Sequence, residues 1–296
     1  MTAFTRTNSG LTNLRLFHSV ELVVFTEGGN NTLSVADILS GAENVAPEDT
    51  KFWKLVLDRN GLSKTYTLKA IGSKASVLNI AARIEAGEVS NVAAAMDRDL
   101  DDYLGGQPQS PFVLYTHGYS WEADVFTKEL TKDQIASFLF MNPLDEAVNR
   151  EVEAAYRSFE KFGSKIAKAE LIFRAQGIAW ISEARGERFF RPENGGVLDL
   201  ANLRSSISEK KPHVQRPAVC PLAQGTPVDP YKLNCGKLIR ALSSAVMKYI
   251  GKKYGNISSL QNDVVSAVML DRFGGSERHV RSNHYASCVA GLNAAL

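Results

Sequence analysis

The chain has 296 residues, of which 44% are hydrophobic and 22% are charged, a composition typical of a globular chain that buries a core without structural zinc. Its three cysteines, Cys220, Cys235 and Cys288, are odd in number and far apart, which argues against a disulfide framework and against a C-x-x-C zinc site. The N-terminus lacks a signal-peptide-like stretch and no run of 18 apolar residues occurs, so we expect a cytoplasmic protein without a membrane span.

The net charge of +2 is spread unevenly along the chain. Residues 1–130 carry 11 Lys and Arg against 16 Asp and Glu, whereas residues 131–296 carry 23 against 16. One interpretation is a division of labour, in which carboxylates of the first half of the chain hold cations and basic residues of the second half hold phosphates. The other is a chance asymmetry on solvated surfaces, and composition leaves both open.

The first half of the chain alternates strand-like and helix-like segments. Short apolar or β-branched runs between turn residues predict four strands, at 21–26, 65–71, 91–96 and 111–116. Helices are predicted over 50–58 and from an N-cap at Ser73 to about Gly87. This alternation favours an α/β fold with a mostly parallel four-stranded sheet flanked by helices.

After about residue 128 the pattern becomes mainly helical, which predicts two domains, 1–128 and 129–296. Thr131 and Gln134 form a capping-box signature before an apolar helix. Further helices are predicted over 145–175, with a break near Gly163, over 235–253 and over 257–272. Residues 186–232 are predicted to be irregular, because five prolines lie in their second half.

Acidic residues follow three of the predicted strands. Glu27 comes directly after the first strand, in Phe25-Thr-Glu-Gly-Gly29, Asp97 and Asp99 follow the third, and Glu122 lies shortly after the fourth. Ligands of α/β sheets bind outside the carboxyl ends of the strands, and residues i and i+2 of an extended chain point to the same side. Asp97 and Asp99 are therefore expected to project together, and near Glu27 if strands one and three are neighbours.

Converging carboxylates repel one another unless a cation joins them. Mg²⁺ prefers oxygen ligands and commonly bridges one or two carboxylates to substrate phosphates, so a magnesium site is predicted, with Mn²⁺ as a possible substitute. The predicted ligands are Glu27, Asp97, Asp99 and Glu122. Each carboxylate alone is explained equally well as part of a solvated loop, and the prediction depends on their combination.

Several basic residues are candidates for holding phosphate. Lys74 opens a predicted helix and could hold the scissile phosphate there, although a solvated lysine explains it as well. Residues predicted to contact nucleic acid in the back half are Lys248, Lys252, Lys253, Arg278 and Arg281. The three lysines would also favour a helix C-terminus without any ligand. Phe189 and Phe190 could stack on an unpaired base or pack in the core.

These motifs resemble a known family. Glu-Gly after the first strand and Asp-x-Asp after the third resemble the signature of the TOPRIM domain, which is found in topoisomerases, bacterial primases and OLD-family nucleases. Gly72-Ser-Lys74 and Thr116-His-Gly-Tyr-Ser-Trp-Glu122 look like stretches of TOPRIM-related effectors of the PARIS anti-phage system, which are encoded beside ABC-type ATPases. The resemblance covers residues 18–125 well and the rest loosely.

The resemblance implies a TOPRIM-like, Mg²⁺-dependent endonuclease that an ABC-type (AriA-like) ATPase holds and releases when phage is sensed. Its implied target is tRNA, so that translation stops, and a homodimer is expected by analogy. In the family pattern Glu27 acts as general acid/base or metal ligand, while Asp97 and Asp99 hold the metal. Relatives carry a further acid where this chain has Asn31, and Asp49 is a candidate replacement, so the number of metals stays open.

Other functions compete with this interpretation. Haloacid-dehalogenase-like phosphatases also use D-x-D, but they place it after the first strand and use one Asp as nucleophile, which argues against that class. A nuclease of the same fold acting on DNA stays open. So does a non-catalytic module whose acidic crevice docks the partner ATPase.

Overall fold

A computed structural model describes residues 8–45, 47–181, 186–215, 219–223, 225–257 and 259–296. Its contacts divide the chain into two compact units. The first unit combines residues up to 98 with 106–117 and 274–296, and the second combines 99–105 with 118–273. The predicted functional boundary between residues 128 and 129 stays a prediction.

A four-stranded parallel sheet forms the centre of the first unit, with the strand order β2-β1-β3-β4. The strands are β1 (Leu22–Thr26), β2 (Tyr66–Ala70), β3 (Val92–Met96) and β4 (Val113–Tyr115). Every residue of β1 and β3 is buried. Both faces of a parallel sheet are covered, and such strands consist of nearly continuous apolar residues. The prediction of an α/β fold with a parallel four-stranded sheet is confirmed, and strands one and three are neighbours.

Helices make up most of the remaining chain. In chain order they are α1 (Asn8–Phe17), α2 (Val35–Leu39), α3 (Glu48–Arg59), α4 (Lys74–Glu85), α5 (Asp101–Leu104), α6 (Trp121–Val125), α7 (Lys128–Leu139), α8 (Glu146–Ala175), α9 (Leu200–Lys210), α10 (Gly236–Tyr254), α11 (Asn262–Gly275), α12 (Glu277–Val280) and α13 (Asn283–Ala295). A two-residue antiparallel pair, β5 (Phe190–Arg191) and β6 (Val197–Leu198), lies in the second unit. The mainly helical C-terminal region is confirmed. In the part of the chain that is described, no helix is long and apolar enough to span a lipid bilayer.

The core of the first unit lies between the sheet and its helices. Val23 and Phe25 of β1 are fully buried together with Val77 and Ile80 of α4, which recur at the three-residue spacing of one helical face. The helix after β2 starts where the sequence predicts it, with Ser73 as N-cap, although the Ser73 side chain makes no capping hydrogen bond. The second predicted helix therefore positions Lys74 at its first turn.

The capping box predicted at Thr131 and Gln134 is wrong. The α7 helix starts one turn earlier, where Thr127 is the N-cap and its hydroxyl accepts a hydrogen bond from Leu130 N at 3.2 Å. Thr131 is fully buried inside the helix, where it accepts a hydrogen bond from Tyr156 and donates one to Ser243. A buried hydroxyl needs partners, and the distant partners here are invisible to a local motif.

The predicted break of α8 at Gly163 is also wrong, because the helix runs unbroken through its 30 residues. Gly163 allows a close approach instead, since a Cβ there would lie 2.6 Å from Pro230 Cβ. The region predicted to be irregular contains the short strands β5 and β6 and one α-helix, α9. Its start is set by Asp199, whose carboxylate accepts from Ala201 N and Asn202 N at 3.0 and 3.2 Å.

Asp199 predicts a measurable pH dependence of stability. The hydrogen bond from Arg191 Nε at 2.7 Å and those from the N-terminus of α9 lower the pKa of Asp199 to about 2. An unfolded aspartate titrates near 3.9, so this stabilisation is complete above that pH and is lost as the pH falls towards 2.

Asp199→Asn should accordingly lower the free energy of unfolding at pH 7, and the difference from the wild type should shrink below about pH 4. Urea titrations across this pH range measure it. Arg191→Gln removes the same ion pair and should give a similar profile. A difference that does not change with pH would contradict the assignment.

Candidate active site at the carboxyl edge of the sheet

A double hydrogen bond between two glycines shapes the carboxyl edge of the sheet. Gly28 N donates to Gly72 O, and Gly72 N donates to Gly28 O, both at 2.9 Å. Both residues have φ of 97°, a region that residues with a Cβ rarely adopt. At Gly72 a Cβ would also lie 2.6 Å from Thr32 Cα. The turns that follow β1 and β2 are thus tied together, one carrying Glu27 and the other leading to Lys74.

Three of the predicted site residues meet at this edge. Asp97 N donates to Glu27 Oε1 at 2.9 Å, which joins the ends of β1 and β3. Lys74 Nζ donates to Asp97 O at 2.7 Å, which brings the first residue of α4 over the same point. All three residues are partly buried. The first unit therefore brings the Glu27 carboxylate and the Lys74 ammonium group to the main chain of Asp97, where parallel strands end.

This arrangement suits an anionic ligand held through a cation. Lys74 and the first turn of α4 add positive charge and a helix N-terminus at the ends of β1 and β3, where Glu27 contacts Asp97. A carboxylate that is already hydrogen-bonded is held in one orientation, so Glu27 needs little reorganisation to act on a ligand.

Asp99 belongs to the second unit, and its backbone is not extended. It has φ of 51°, so the expectation that it projects together with Asp97 because the chain is extended is wrong. Asp99 N donates to Tyr119 O at 2.6 Å. Burial raises the pKa of the Tyr119 hydroxyl far above its ordinary value, and the negative charge of Asp99 acts in the same direction.

Glu122, also in the second unit, is buried near the start of α10. It accepts a hydrogen bond from the Ser120 hydroxyl, and a Cβ at Gly236 would lie 2.8 Å from Glu122 Oε2. A carboxylate at the N-terminus of a 19-residue helix is stabilised there by the helix dipole. Glu122 thus has a structural explanation within its own unit, and its role as metal ligand stays a prediction.

The donor set at the sheet edge fits a hard divalent cation. Among the described residues, no group of three or more His, Cys, Asp and Glu side chains is already arranged to hold a metal ion. Glu27 and Asp97 supply carboxylate oxygens only, and Mg²⁺ is commonly held by one or two carboxylates with waters completing its shell. The pair therefore fits Mg²⁺ or Mn²⁺ better than a metal that needs a closed cage of protein ligands.

The candidate replacement for the missing acid lies close to this edge. Asn31 is exposed, and its backbone exchanges hydrogen bonds with the Asn44 side chain. Asp49, in the first turn of α3, approaches the turn after β1, since a Cβ at Gly28 would lie 2.7 Å from Asp49 Oδ2. Asp49 is therefore placed closer to the turn after Glu27 than its sequence separation suggests.

The residues predicted to contact nucleic acid fall into two groups. Lys248, Lys252 and Lys253 lie on α10 in the second unit, whereas Arg278 and Arg281 lie in the first. Arg281 donates to Arg59 O at 2.6 Å and pairs with Glu277 at 2.9 Å. Its contacts at the end of α3 give it a structural role, while Arg278 is exposed.

Residues near the C-terminus, which the sequence suggested only as a basic stretch, contact the end of β4. The Tyr285 hydroxyl accepts from His117 N at 3.0 Å, and His284 Nε2 lies 2.8 Å from Tyr115 O. The rings of His117 and His284 stack with centroids 5.0 Å apart. The helical spacing of buried Tyr285, Val289 and Leu292 is the signal that could have predicted a packed helix here.

No model of a known protein family matches the chain, and no curated protein matches it either. The case for function consequently depends on the motifs and on the geometry at the carboxyl edge of the sheet. Glu27, Lys74 and Asp97 are the part of the predicted site whose mutual contacts are described.

Proposed function

We propose that this chain is a TOPRIM-like, Mg²⁺-dependent endoribonuclease that cleaves tRNA as the toxic effector of an anti-phage abortive-infection system. The observation that carries the proposal is the contact of Glu27 Oε1 with Asp97 N and of Lys74 Nζ with Asp97 O, at the carboxyl ends of neighbouring parallel strands. In such sheets this edge is where ligands bind.

The proposed chemistry is hydrolysis of a phosphodiester. Glu27 accepts a proton from the attacking water as the new P–O bond forms, the bond to the leaving sugar oxygen breaks, and that oxygen takes up a proton from solvent water. Lys74 holds a non-bridging phosphate oxygen and offsets its charge. Bound Mg²⁺, held by Glu27 and Asp97, would lower the pKa of a bound water and neutralise charge on the phosphoryl group. Asp99 and Glu122 remain predicted ligands.

The choice of tRNA and of the partner follows from the resemblance described above. The motifs look like those of AriB, the effector of the PARIS system, so we propose that an AriA-like ABC-type ATPase holds the chain until phage is sensed. A homodimer is proposed on the same basis. Cleavage of DNA and a purely docking role are the outcomes against which the proposal is tested.

One gel tests the proposal. The purified protein is incubated with total tRNA and with plasmid DNA, in Mg²⁺, in Mn²⁺ and in EDTA, beside Glu27→Ala. We expect discrete tRNA fragments that need the metal and are absent in the variant. Metal-dependent cutting of the plasmid alone would support the proposed site but would make DNA, not RNA, the substrate. No cleavage of either, with an active ATPase partner supplied, would favour the docking module.

A further inference from the structure

A cleft of about 810 Å³ opens along the C-terminal half of α10 in the second unit. Lys248, Tyr249, Lys252 and Lys253 line it from the helix, Ile257 contributes an apolar wall from the segment that follows, and Glu193 adds one carboxylate. The volume is in the range of pockets that hold a ligand of nucleotide size. The cleft therefore combines ammonium groups with an apolar surface in one concave site.

The lysines of the cleft differ in their contacts within the protein. Lys253 pairs with Glu151 and donates to the Tyr249 hydroxyl at 3.0 Å, so its charge is largely used within the protein. Lys248 donates to the neutral amide oxygen of Asn262 at 2.7 Å, so this contact does not offset its charge. Lys252 is exposed one helical turn further along. Lys248 and Lys252 thus lie about 6 Å apart along the helix axis, and both line the cleft.

Phe140 follows Leu139 at the end of α7, and Leu139 packs near Ile257 of the cleft wall. Phe140 is 97% exposed, the highest value among the large hydrophobic side chains that are described. It ends α7 with φ of 53°, a left-handed conformation that is sterically costly for a residue with a Cβ. Its neighbour Leu139 packs beside the cleft wall, because a Cβ at Gly255 would lie 2.8 Å from Leu139 Cδ2 and 3.5 Å from Ile257 Cδ1.

We infer that this surface binds single-stranded RNA, with Lys248 and Lys252 holding backbone phosphates and Phe140 stacking on an unpaired base. Proteins that bind single strands combine a basic groove with exposed aromatic side chains on which bases stack. The inference rests on the proposed function for its choice of RNA, and it assigns substrate binding to α10 and to the end of α7. An acidic peptide would use the lysines, but it would offer no ring for Phe140 to stack against.

Binding is measured without cleavage. Fluorescence anisotropy measures the affinity of the protein for a labelled oligouridine of about 12 nucleotides. All proteins carry Glu27→Gln and are measured in EDTA, between about 50 and 200 mM salt. Phe140→Ser and Lys248→Ser/Lys252→Ser are the test variants. Lys165→Ser/Lys168→Ser is the control, because both lysines are exposed on α8, about 20 Å along that helix from Glu151. A labelled polyglutamate probes the acidic-peptide alternative.

We expect Phe140→Ser to weaken binding of the oligouridine about 10-fold, as loss of one stacked base does. The double lysine variant should reduce the slope of log K against log salt by about 1.4, and the control should bind as its parent does. Equal affinities of all variants, or equally tight binding of polyglutamate, would overturn the inference.

The outcome is separable from that of the proposed function. If the wild type cleaves tRNA but the test variants bind normally, the nuclease stands and this binding site falls. If the test variants lose binding while the wild type cleaves nothing, the site stands and the nuclease falls.

Discussion

Glu27→Gln is expected to lower the rate of metal-dependent tRNA cleavage about 10²–10⁴-fold, the range of general acid–base catalysis, with the fold intact. The glutamine amide oxygen can still accept the hydrogen bond from Asp97 N that Glu27 Oε1 accepts at 2.9 Å. The negative charge that binds a cation and takes up a proton is lost. Single-turnover cleavage rates and a thermal melt of the same preparation measure the two effects.

A matched control lies at the other end of the same strand. Glu21 precedes β1 at the amino edge of the sheet, where it is exposed and pairs with Lys64 at 3.0 Å. An exposed ion pair contributes little to stability. Glu21→Gln should therefore cleave at the wild-type rate. Cleavage by Glu27→Gln that equals cleavage by Glu21→Gln would remove Glu27 from the chemistry.

Gly72→Ala is expected to destabilise the first unit and to abolish cleavage together with it. The left-handed backbone at φ of 97° and the approach of a Cβ to the main chain at Thr32 Cα, at 2.6 Å, combine to cost about 2–5 kcal/mol. The hydrogen bonds between Gly28 and Gly72 would have to shift, and these hold the turns that carry Glu27 and Lys74. Chemical denaturation and cleavage assays measure the two losses.

Gly87 provides the comparison for that change. It also has positive φ, 68°, but a Cβ there would meet nothing within 4 Å. Gly87→Ala should therefore cost only the backbone preference, about 1–2 kcal/mol, and should keep cleavage. If the two alanine variants lose the same stability, the close approach at Gly72 has no energetic weight and its proposed positioning role fails.

Local sequence patterns predicted the four strands of the first unit and its helices α3 and α4, but not α1, α2, α12 or α13. Continuous apolar runs marked β1 and β3, and Ser73 marked the start of α4, because strand burial and helix capping depend on a few neighbouring residues. Since the carboxyl ends of parallel strands share one edge, the same patterns predicted that Glu27 and Asp97 would lie close together.

Local sequence patterns were less informative where the structure depends on contacts with residues far along the chain. Phe189 and Phe190, for which base stacking and core packing were both open, are 0% and 4% exposed, so core packing accounts for them. The glycine at position 163 predicted a helix break, but α8 is continuous there and Pro230 packs against Gly163. In each case a contact made far along the chain decides the result.

By itself the sequence determined the four strands of the first half, the two helices α3 and α4, and the location of Glu27, Lys74 and Asp97 at strand and helix ends, because periodicity and caps are local properties. Only the tertiary structure decided that Thr131 is a buried hydrogen-bonding residue, that residues 274–296 join the first unit, and that Asp99 leaves the extended backbone to meet Tyr119. Burial and pairing with residues far along the chain override local preference wherever a polar group or a close packing contact must be satisfied.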